Sequence, residues 1–253
     1  MSDSVTDYLR RQRVVNDALI AHRGASALAP ENTLIAMHKA VLCGAKWLEV
    51  DVKLTKDGQP VIIHDDRVDR TTNGHGLVAA LTLAEIRQLE ARAQFGEAFA
   101  GVTIPTLPEL ITCVLELDVG LQLELKPTAG DDVETAEVAL GVLKSMWPAN
   151  RRDRLFLSSF SVRSIQTAAR LMPDVPRAFA VVVPPKKPVA LLQETHCQIL
   201  HCLAELLDDE AQHILSDSGI EYAVAVVNDA AQARRFLDNG AQTVLSDIPD
   251  LLG

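Results

Sequence analysis

The sequence predicts an α/β fold, a TIM (β/α)8 barrel with a small insertion subdomain at about residues 66–104. Apolar strand-like segments alternate with helical patterns along nearly the whole chain, which favours a parallel sheet. About eight strands favour closure into a barrel over an open sheet, and 253 residues match the usual length of such a barrel. No GxGxxG phosphate loop opens the first helix, which weakens the Rossmann alternative.

The first half of the chain holds four apolar segments, each predicted to be a short buried strand with polar residues at its end. They are ALIAHRG (18–24), WLEVDVK (47–53), PVIIHD (60–65) and GLQLELK (120–126). ENTLIAMHKAVLCG predicts a helix after the first strand, with Asn32 or Thr33 near its N-cap and Gly44 at its C-cap. Asp57-Gly58 predicts a hairpin or tight turn, and LPELITCVLEL predicts a second helix.

The second half of the chain alternates helices with strands to its end. Helices are predicted at residues 131–147, SVRSIQTAARLMP (Ser161 as N-cap), KPVALLQET, LDDEAQHILSDSG and NDAAQARRFLDNG, and strands at RLFLSSF, PRAFAVVV, QILHCL, EYAVAVV and AQTVLSD. Residues 66–104 break this rhythm, with one clear helix, TLAEIRQLEA, in polar sequence. They are too long for a simple loop, so we expect an insertion over the strand ends of one domain spanning residues 1–253.

Composition narrows the class of function. The net charge of −10 argues against a general nucleic-acid or anionic-membrane binder. No segment approaches the roughly 20 apolar residues that span a bilayer, and MSDSVTDYLRRQRVV lacks the apolar region of a secretory signal. The four cysteines form no CxxC pair, which indicates buried free thiols in a reducing compartment. We expect a cytoplasmic protein that acts on a small molecule; its oligomeric state stays open.

Three acidic residues predict a metal site. Glu49 and Asp51 are two residues apart, so on a strand they point to the same side, and Glu124 and Lys126 repeat that spacing. Carboxylates on neighbouring strand ends repel one another unless a cation lies between them. Oxygen ligands suit Mg²⁺ or Ca²⁺ better than zinc. Glu49 and Asp51 alone could belong to a solvated edge strand, but the apolar residues around them indicate burial.

Two histidines near these acids predict acid–base chemistry. His22 and His64 each end an apolar segment, as expected of a general acid and a general base. The planar guanidinium of Arg23 suits phosphate oxygens, and Lys126 could neutralise charge that develops in the transition state. These groups together favour phosphodiester cleavage over acyl or hydride transfer. The other histidines are expected to be structural, although His201 on its strand could approach the barrel mouth.

Motifs along residues 18–249 resemble the glycerophosphodiester phosphodiesterase family, most of all its compact bacterial cytoplasmic members. The segments are His22-Arg23-Gly24-Ala25, Pro30-Glu31-Asn32-Thr33, Glu49-Val50-Asp51, Asp57-Gly58, His64-Asp65, Arg70-Thr71-Thr72, Pro105-Thr106-Leu107, Glu124-Leu125-Lys126, Ser159-Phe160, Asn228, Gly240-Ala241 and Ser246-Asp247-x-Pro249. Their order and spacing make this resemblance far more specific than any one short motif.

The resemblance implies a TIM barrel with a small inserted subdomain. It implies a divalent metal held by the acids at Glu49, Asp51 and Glu124, His22 and His64 as the acid/base pair, and Arg23 and Lys126 as phosphate contacts. It also implies hydrolysis of glycerophosphodiesters such as glycerophosphocholine to sn-glycerol 3-phosphate and an alcohol.

Two positions depart from the family's pattern. Ala225 stands where the family usually has a Trp that lines the substrate pocket, and Ser246 stands where Thr is usual. A phospholipase D-like lyase that forms a cyclic phosphate and a non-catalytic barrel binding protein remain alternatives. The small insertion and the lack of a signal or disulfide pattern count against the lyase. The intact histidines and acids count against a non-catalytic barrel.

Overall fold

Eight parallel strands close into a barrel in the computed structural model, which describes residues 13–253 and confirms the predicted fold class. Residues 1–12, which form most of the segment judged to lack a secretory signal, lie outside the described residues. The strands are β1 (Leu19–His22), β2 (Trp47–Leu54), β3 (Pro60–Ile62), β4 (Gly120–Leu125), β5 (Leu155–Ser159), β6 (Arg177–Val181), β7 (Ile199–Leu203), β8 (Glu221–Ala225) and β9 (Thr243–Ser246).

The barrel closes because β1 pairs with both β2 and β9. β3 lies outside it and pairs antiparallel with the end of β2, after a turn at Asp57 and Gly58. The predicted hairpin is therefore present, but PVIIHD is not a barrel strand. Val52, Lys53 and Leu54 of β2 are the residues that pair with β3.

Eight α-helices lie in the described part of the chain. They are α1 (Leu34–Leu42), α2 (Leu83–Ile86), α3 (Leu107–Leu117), α4 (Asp132–Met146), α5 (Val162–Leu171), α6 (Pro188–Thr195), α7 (Asp209–Asp217) and α8 (Ala230–Asp238). Thr33, not Asn32, caps α1, and Gly44 follows its C-cap Cys43 with a positive φ. Ser161 caps α5 as predicted: its side chain accepts a hydrogen bond from the Ser164 N–H.

An apolar cluster fills the barrel interior where the strands begin. Every barrel strand except β4 contributes to it, and the largest members are Trp47 and Phe156, whose ring centroids lie 5.6 Å apart. At this level β4 has Gly120, which leaves room for the Trp47 ring, because a Cβ at that position would lie 2.4 Å from it. The largest open space therefore lies towards the carboxyl ends of the strands, where TIM-barrel enzymes place their active sites.

The insertion has a small core of its own. Val68, Val78, Ile86 and Ala91 pack with Ile104, with Val61 of β3 and with the adjacent Ile63. The predicted helix over TLAEIRQLEA is wrong in extent, since α2 ends at Ile86. Beyond it the backbone pairs with another segment: Ala91 N–H donates to the Val102 carbonyl, and Glu90 forms an isolated bridge with Thr103.

The structure describes all four cysteines. All four cysteines are unpaired thiols; Cys113, Cys197 and Cys202 are buried, whereas Cys43 is only half-buried, contrary to the expectation for all four. Within residues 13–253, no helix combines the length and apolar character needed to cross a membrane.

Candidate active site

One cavity of about 760 Å³ opens at the carboxyl ends of the barrel strands. All seven residues singled out from the sequence line it: His22, Arg23, Glu49, Asp51, His64, Glu124 and Lys126. His22 is the last residue of β1, and Lys126 directly follows β4. The alternation of side chains along β2 and β4 is what turns their acidic residues towards this space.

His64 reaches the cavity by a different route from the one expected. It does not end a barrel strand equivalent to β1 but lies two residues beyond the antiparallel β3. The hairpin carries the chain past the barrel rim and returns it, so that the N–H of Ile63 donates to the Asp51 carbonyl at 2.9 Å. His64 therefore comes back to the level of the acidic residues on β2.

Strand register brings the three carboxylates together. Asp51 lies opposite Glu124 across the β2–β4 pairing, and Glu49 lies opposite His22 across the β1–β2 pairing. One oxygen from each of Glu49, Asp51 and Glu124 lies within 4.8 Å of the others. Burial raises the pKa of Glu49 well above its usual range, and the charges of Asp51 and Glu124 raise it further. Burial also raises the pKa of Glu124, against the opposing effect of Lys126.

Two cations contact this carboxylate cluster. Lys126 Nζ lies 3.1 Å from Glu124 Oε1 and 3.5 Å from Asp51 Oδ1, and Arg23 Nε lies 3.3 Å from Asp51 Oδ2. Burial acts to raise the pKa of Asp51, but Lys126 and Arg23 outweigh it and hold that pKa at about 2. Asp51 is thus ionised, whereas burial and the neighbouring carboxylates disfavour the charged form of Glu49.

The turn after β1 has a strained conformation that fixes Arg23. Arg23 has a φ of +56°, in the left-handed region, and its N–H donates to Glu49 Oε2 at 3.0 Å. Gly24 follows with a φ of +79°, and a Cβ there would lie 2.8 Å from the backbone of Ala36. Only glycine therefore allows α1 to pack this closely against the turn.

Asn32 holds Asp51 from the loop before α1. Its side-chain Nδ2 donates to Asp51 Oδ2 at 2.8 Å, and its Oδ1 accepts from the Asp51 backbone N–H at 3.2 Å. The local sequence predicts Asn32 only as a candidate helix cap. Its true contact is 19 residues away along the chain, and only the family motif PENT signalled it.

Each histidine is paired with a carboxylate that sequence reasoning gave no role. His22 Nδ1 lies 2.7 Å from Asp247 Oδ1, and His64 Nδ1 lies 2.6 Å from Asp65 Oδ1. Burial lowers the pKa of His64, although Asp51 opposes that effect. Hydrogen bonds from His22 and Asn228 outweigh burial and hold the pKa of Asp247 below its usual range. Both carboxylates stood in the family motifs, which were the available signal.

An ion-pair network links these groups to the insertion. Arg70 donates to Glu31 at 2.6 and 2.8 Å and to Asp65 Oδ2 at 2.6 Å, while Arg23 Nη1 donates to Glu31 at 2.8 Å. Hydrogen bonds from Arg70, with a further contribution from His64, lower the pKa of Asp65. The insertion thus contributes to the site through Arg70, which orders the carboxylate that contacts His64.

His201 does approach the cavity. It is buried on β7, its Nδ1 lies 3.4 Å from Gln122 Nε2, and its Nε2 has no hydrogen-bond partner among the described residues. Burial lowers the pKa of His201 to about 4, so its ring is neutral near pH 7. The carboxylates that line the cavity lie elsewhere, on β2 and β4 or in the segment after β3.

The fold and the site define a TIM-barrel enzyme that cleaves phosphoric diesters. Residues 22–251 match the model of the glycerophosphoryl diester phosphodiesterase family. YhdW of Bacillus subtilis is 34% identical over 242 residues, covering 92% of this chain and 96% of that protein. The glycerophosphodiester phosphodiesterase of Caldanaerobacter subterraneus is 32% identical over 234 residues, covering 92% and 95%.

A solved structure of a phosphodiesterase also resembles this chain in sequence and in fold. The Oleispira antarctica phosphodiesterase, in complex with the product sn-glycerol-3-phosphate, superposes with a TM-score of 0.88 at 37% identity, covering 92% of this chain and 94% of that one. The chain belongs to the glycerophosphoryl diester phosphodiesterase family and is an enzyme of that class.

Proposed function

We propose that this enzyme hydrolyses glycerophosphodiesters to sn-glycerol 3-phosphate and an alcohol, with a divalent metal and two histidines. The observation that carries the proposal is the convergence of two carboxylate-paired histidines, His22 and His64, with three buried carboxylates in one cavity. The bound product of the Oleispira antarctica relative supports the substrate class.

The residues present fit a hard divalent cation. Glu49, Asp51 and Glu124 offer three oxygen donors within 4.8 Å of one another, the ligand type that Mg²⁺ and Ca²⁺ prefer. The raised pKa values of Glu49 and Glu124 reflect buried negative charge that Arg23 and Lys126 only partly offset. We propose that these three carboxylates hold the metal, which when bound would supply Lewis-acid stabilisation of the phosphoryl oxygens.

The two histidines take different parts in this proposal. With Nδ1 of each ring directed to a carboxylate, Nε2 of each is left for the substrate. The lowered pKa of His64 keeps its ring neutral, so we assign it the proton of the attacking group. If that group is water, glycerol 3-phosphate forms directly; if it is the neighbouring glycerol hydroxyl, a cyclic phosphodiester forms first and a water molecule then opens it to glycerol 3-phosphate. His22, held by Asp247, protonates the leaving alkoxide. Arg23 and Lys126 contact the phosphoryl oxygens.

Phosphorus NMR of the reaction with glycerophosphocholine and Mg²⁺ or Ca²⁺ tests the proposal. Glycerol 3-phosphate is expected; a cyclic phosphate would favour the lyase, and an unchanged diester would favour a non-catalytic barrel. Substituting either histidine by Ala should lower kcat by at least about 10²–10⁴-fold with the fold intact. A substrate with a p-nitrophenol leaving group should rescue His22→Ala alone. Near wild-type turnover by both variants on an unactivated diester would contradict the roles.

The domain organisation and the cellular location of the protein are also proposals. We propose that residues 1–253 act as one barrel domain, with residues 66–104 contributing Arg70 to the site. A cytoplasmic location stays a prediction that rests on the four unpaired cysteines, and cell fractionation tests it.

A further inference from the structure

The cavity wall has two chemically different halves. The charged groups come from β1 to β4 and the segments that follow them. The opposite half, from β5 to β9, is formed by Phe160, Ala180, Val182, Cys202, Leu203, Ala225, Val226 and Leu245, and we call these residues the apolar wall. Of the described residues that line this half, only Ser161 and His201 carry polar side chains.

The apolar wall continues out of the cavity onto the surface. Phe160 is 42% exposed, Val182 is 52% exposed and Val226 is 37% exposed, although all three also line the cavity. Each follows the carboxyl end of a different strand, β5, β6 or β8. A substrate seated at the charged groups would thus meet hydrocarbon from the cavity interior to its rim. Contiguous exposed apolar surface of this kind marks a binding site more often than chance exposure.

The apolar wall offers little to a charged head group. A quaternary ammonium is bound by carboxylates or by several aromatic faces. The wall has no carboxylate among the described residues that line it, and its one aromatic ring, Phe160, already lies 5.7 Å from Lys126 Nζ. Ala225, where a Trp would be usual, adds a methyl group in place of an aromatic face. Small polar alcohols would likewise leave most of this surface uncovered.

We propose that the preferred substrates are glycerophosphodiesters that carry a hydrocarbon chain, with the chain lying along the apolar wall. The proposal rests on the proposed function, because the charged half of the cavity must hold the phosphodiester. The cavity of about 760 Å³ lies within the usual range for sites that enclose a ligand of this size. The chain could belong to the leaving alcohol or to an acyl group on the glycerol, and the experiment separates these two sources.

Two substrate series test the proposal with the full-length, metal-loaded enzyme. The first contains glycerophosphoalkanols from methanol to octanol, and the second contains 1-acyl glycerophosphocholines with acyl chains of two to eight carbons, all below their micellar concentrations. We expect kcat/KM to rise by about threefold to fourfold for each methylene that the wall buries, in one series or both. The series that shows the rise identifies which end of the substrate lies on the wall.

Matched valine variants locate the effect. Val182→Ser should reduce the dependence of kcat/KM on chain length, because Val182 lines the cavity. Val183→Ser is the control: its valine is 71% exposed in the same loop but does not line the cavity, so the dependence should be unchanged. A dependence equal in wild type and Val182→Ser would contradict the proposal, as would kcat/KM values independent of chain length in both series.

Three other outcomes have distinct meanings. Failure to cleave every member, including glycerophosphomethanol, would refute the proposed function itself. Efficient cleavage of glycerophosphomethanol without any chain-length dependence would leave that function standing and overturn the hydrocarbon site. Binding to phosphatidylcholine vesicles that is lost equally in Val182→Ser and Val183→Ser, without chain-length dependence, would show a membrane-contact surface and also overturn the proposal.

Discussion

Replacing Asp247 with Asn is expected to slow the reaction by acting through His22. Asp247 Oδ1 lies 2.7 Å from His22 Nδ1, and it also accepts from Ser26 Oγ at 2.8 Å. Asn is isosteric with Asp, and its amide oxygen can still accept from His22, but its NH2 group cannot accept from Asn228 Nδ2 as Asp247 Oδ2 does at 2.6 Å. The variant therefore removes the negative charge that orients and stabilises a protonated His22, together with the hydrogen bond from Asn228.

The expected loss in kcat of Asp247→Asn can be estimated from the hydrogen bond and from the exposure of Asp247. A hydrogen bond to a charged group contributes about 1.5–3 kcal/mol, which corresponds to about 10- to 150-fold in rate. The side chain of Asp247 is 30% exposed, so solvent weakens the interaction and the lower part of that range is expected. The loss in kcat should thus be smaller than that for His22→Ala, which removes the proton donor itself. KM should change little, because Asp247 does not line the cavity that holds the substrate.

A double-mutant cycle decides whether Asp247 is a positioning residue. Steady-state kinetics with glycerophosphocholine would compare Asp247→Asn, His22→Ala and the double variant. If Asp247 acts only through His22, the double variant is no slower than His22→Ala. Additive losses would refute the reasoning, and so would an unchanged kcat in Asp247→Asn. Asp250→Asn, an exposed position three residues further on, is the control and should retain the wild-type rate.

Four further predictions follow from the same contacts. Excess EDTA should abolish activity and Mg²⁺ or Ca²⁺ should restore it, while isothermal titration of Asp51→Asn should show weakened metal binding; full activity in EDTA would contradict the metal site. Asp66→Ala should destabilise the fold in urea unfolding by the lower part of about 1–3 kcal/mol, because the buried Lys53 ammonium loses its carboxylate partner at 2.6 Å and keeps only the Lys126 carbonyl at 3.2 Å, while solvent already weakens the pair at the exposed Asp66. Lys53→Met should cost less. Arg70→Met should unfold more easily at pH 7 than the wild type, and the difference should narrow below about pH 4. Arg70 lowers the pKa values of Glu31 and Asp65 in the folded protein. The stability that these carboxylates contribute is therefore present above their unfolded pKa values and is lost as pH falls through their folded pKa values. Ala225→Trp should lower KM for glycerophosphocholine with kcat little changed, as expected when uniform binding energy is restored, and an unaffected enzyme would mean that the space is already filled.

The local patterns of the sequence predicted much of the barrel. Alternation along β2 placed Glu49 and Asp51 on one side, and the structure has both lining the cavity. α3 runs from Leu107 to Leu117, as LPELITCVLEL predicted. These features depend on residues within one or two turns or strands of each other, so a single segment contains the information that determines them.

Features that depend on distant segments could not be predicted in the same way. Asp247 contacts His22 across 225 residues, and nothing local to either residue indicates the pair. The apolar segment that contains β3 could not be distinguished from a barrel strand by its sequence, because a short apolar segment has the same pattern inside a barrel and outside it. α2 is shorter than its sequence pattern because Ala91 pairs with Val102, a contact within the insertion that helix propensity does not include.

The division of the cavity has a consequence for how this enzyme could change specificity. The proposed metal and acid–base groups come from β1 to β4 and the segments that follow them, whereas Val182 and Val226 belong to segments after β6 and β8. Substitutions on the apolar wall therefore leave the carboxylate cluster and its contacts with Arg23 and Lys126 in place. Since the loops of a TIM barrel vary without disturbing its strands, the alcohol or acyl group that the enzyme accepts should depend on the loops after β5 to β8. Phosphodiester cleavage itself should depend on the registers of β1, β2 and β4, which set the spacing of the charged groups.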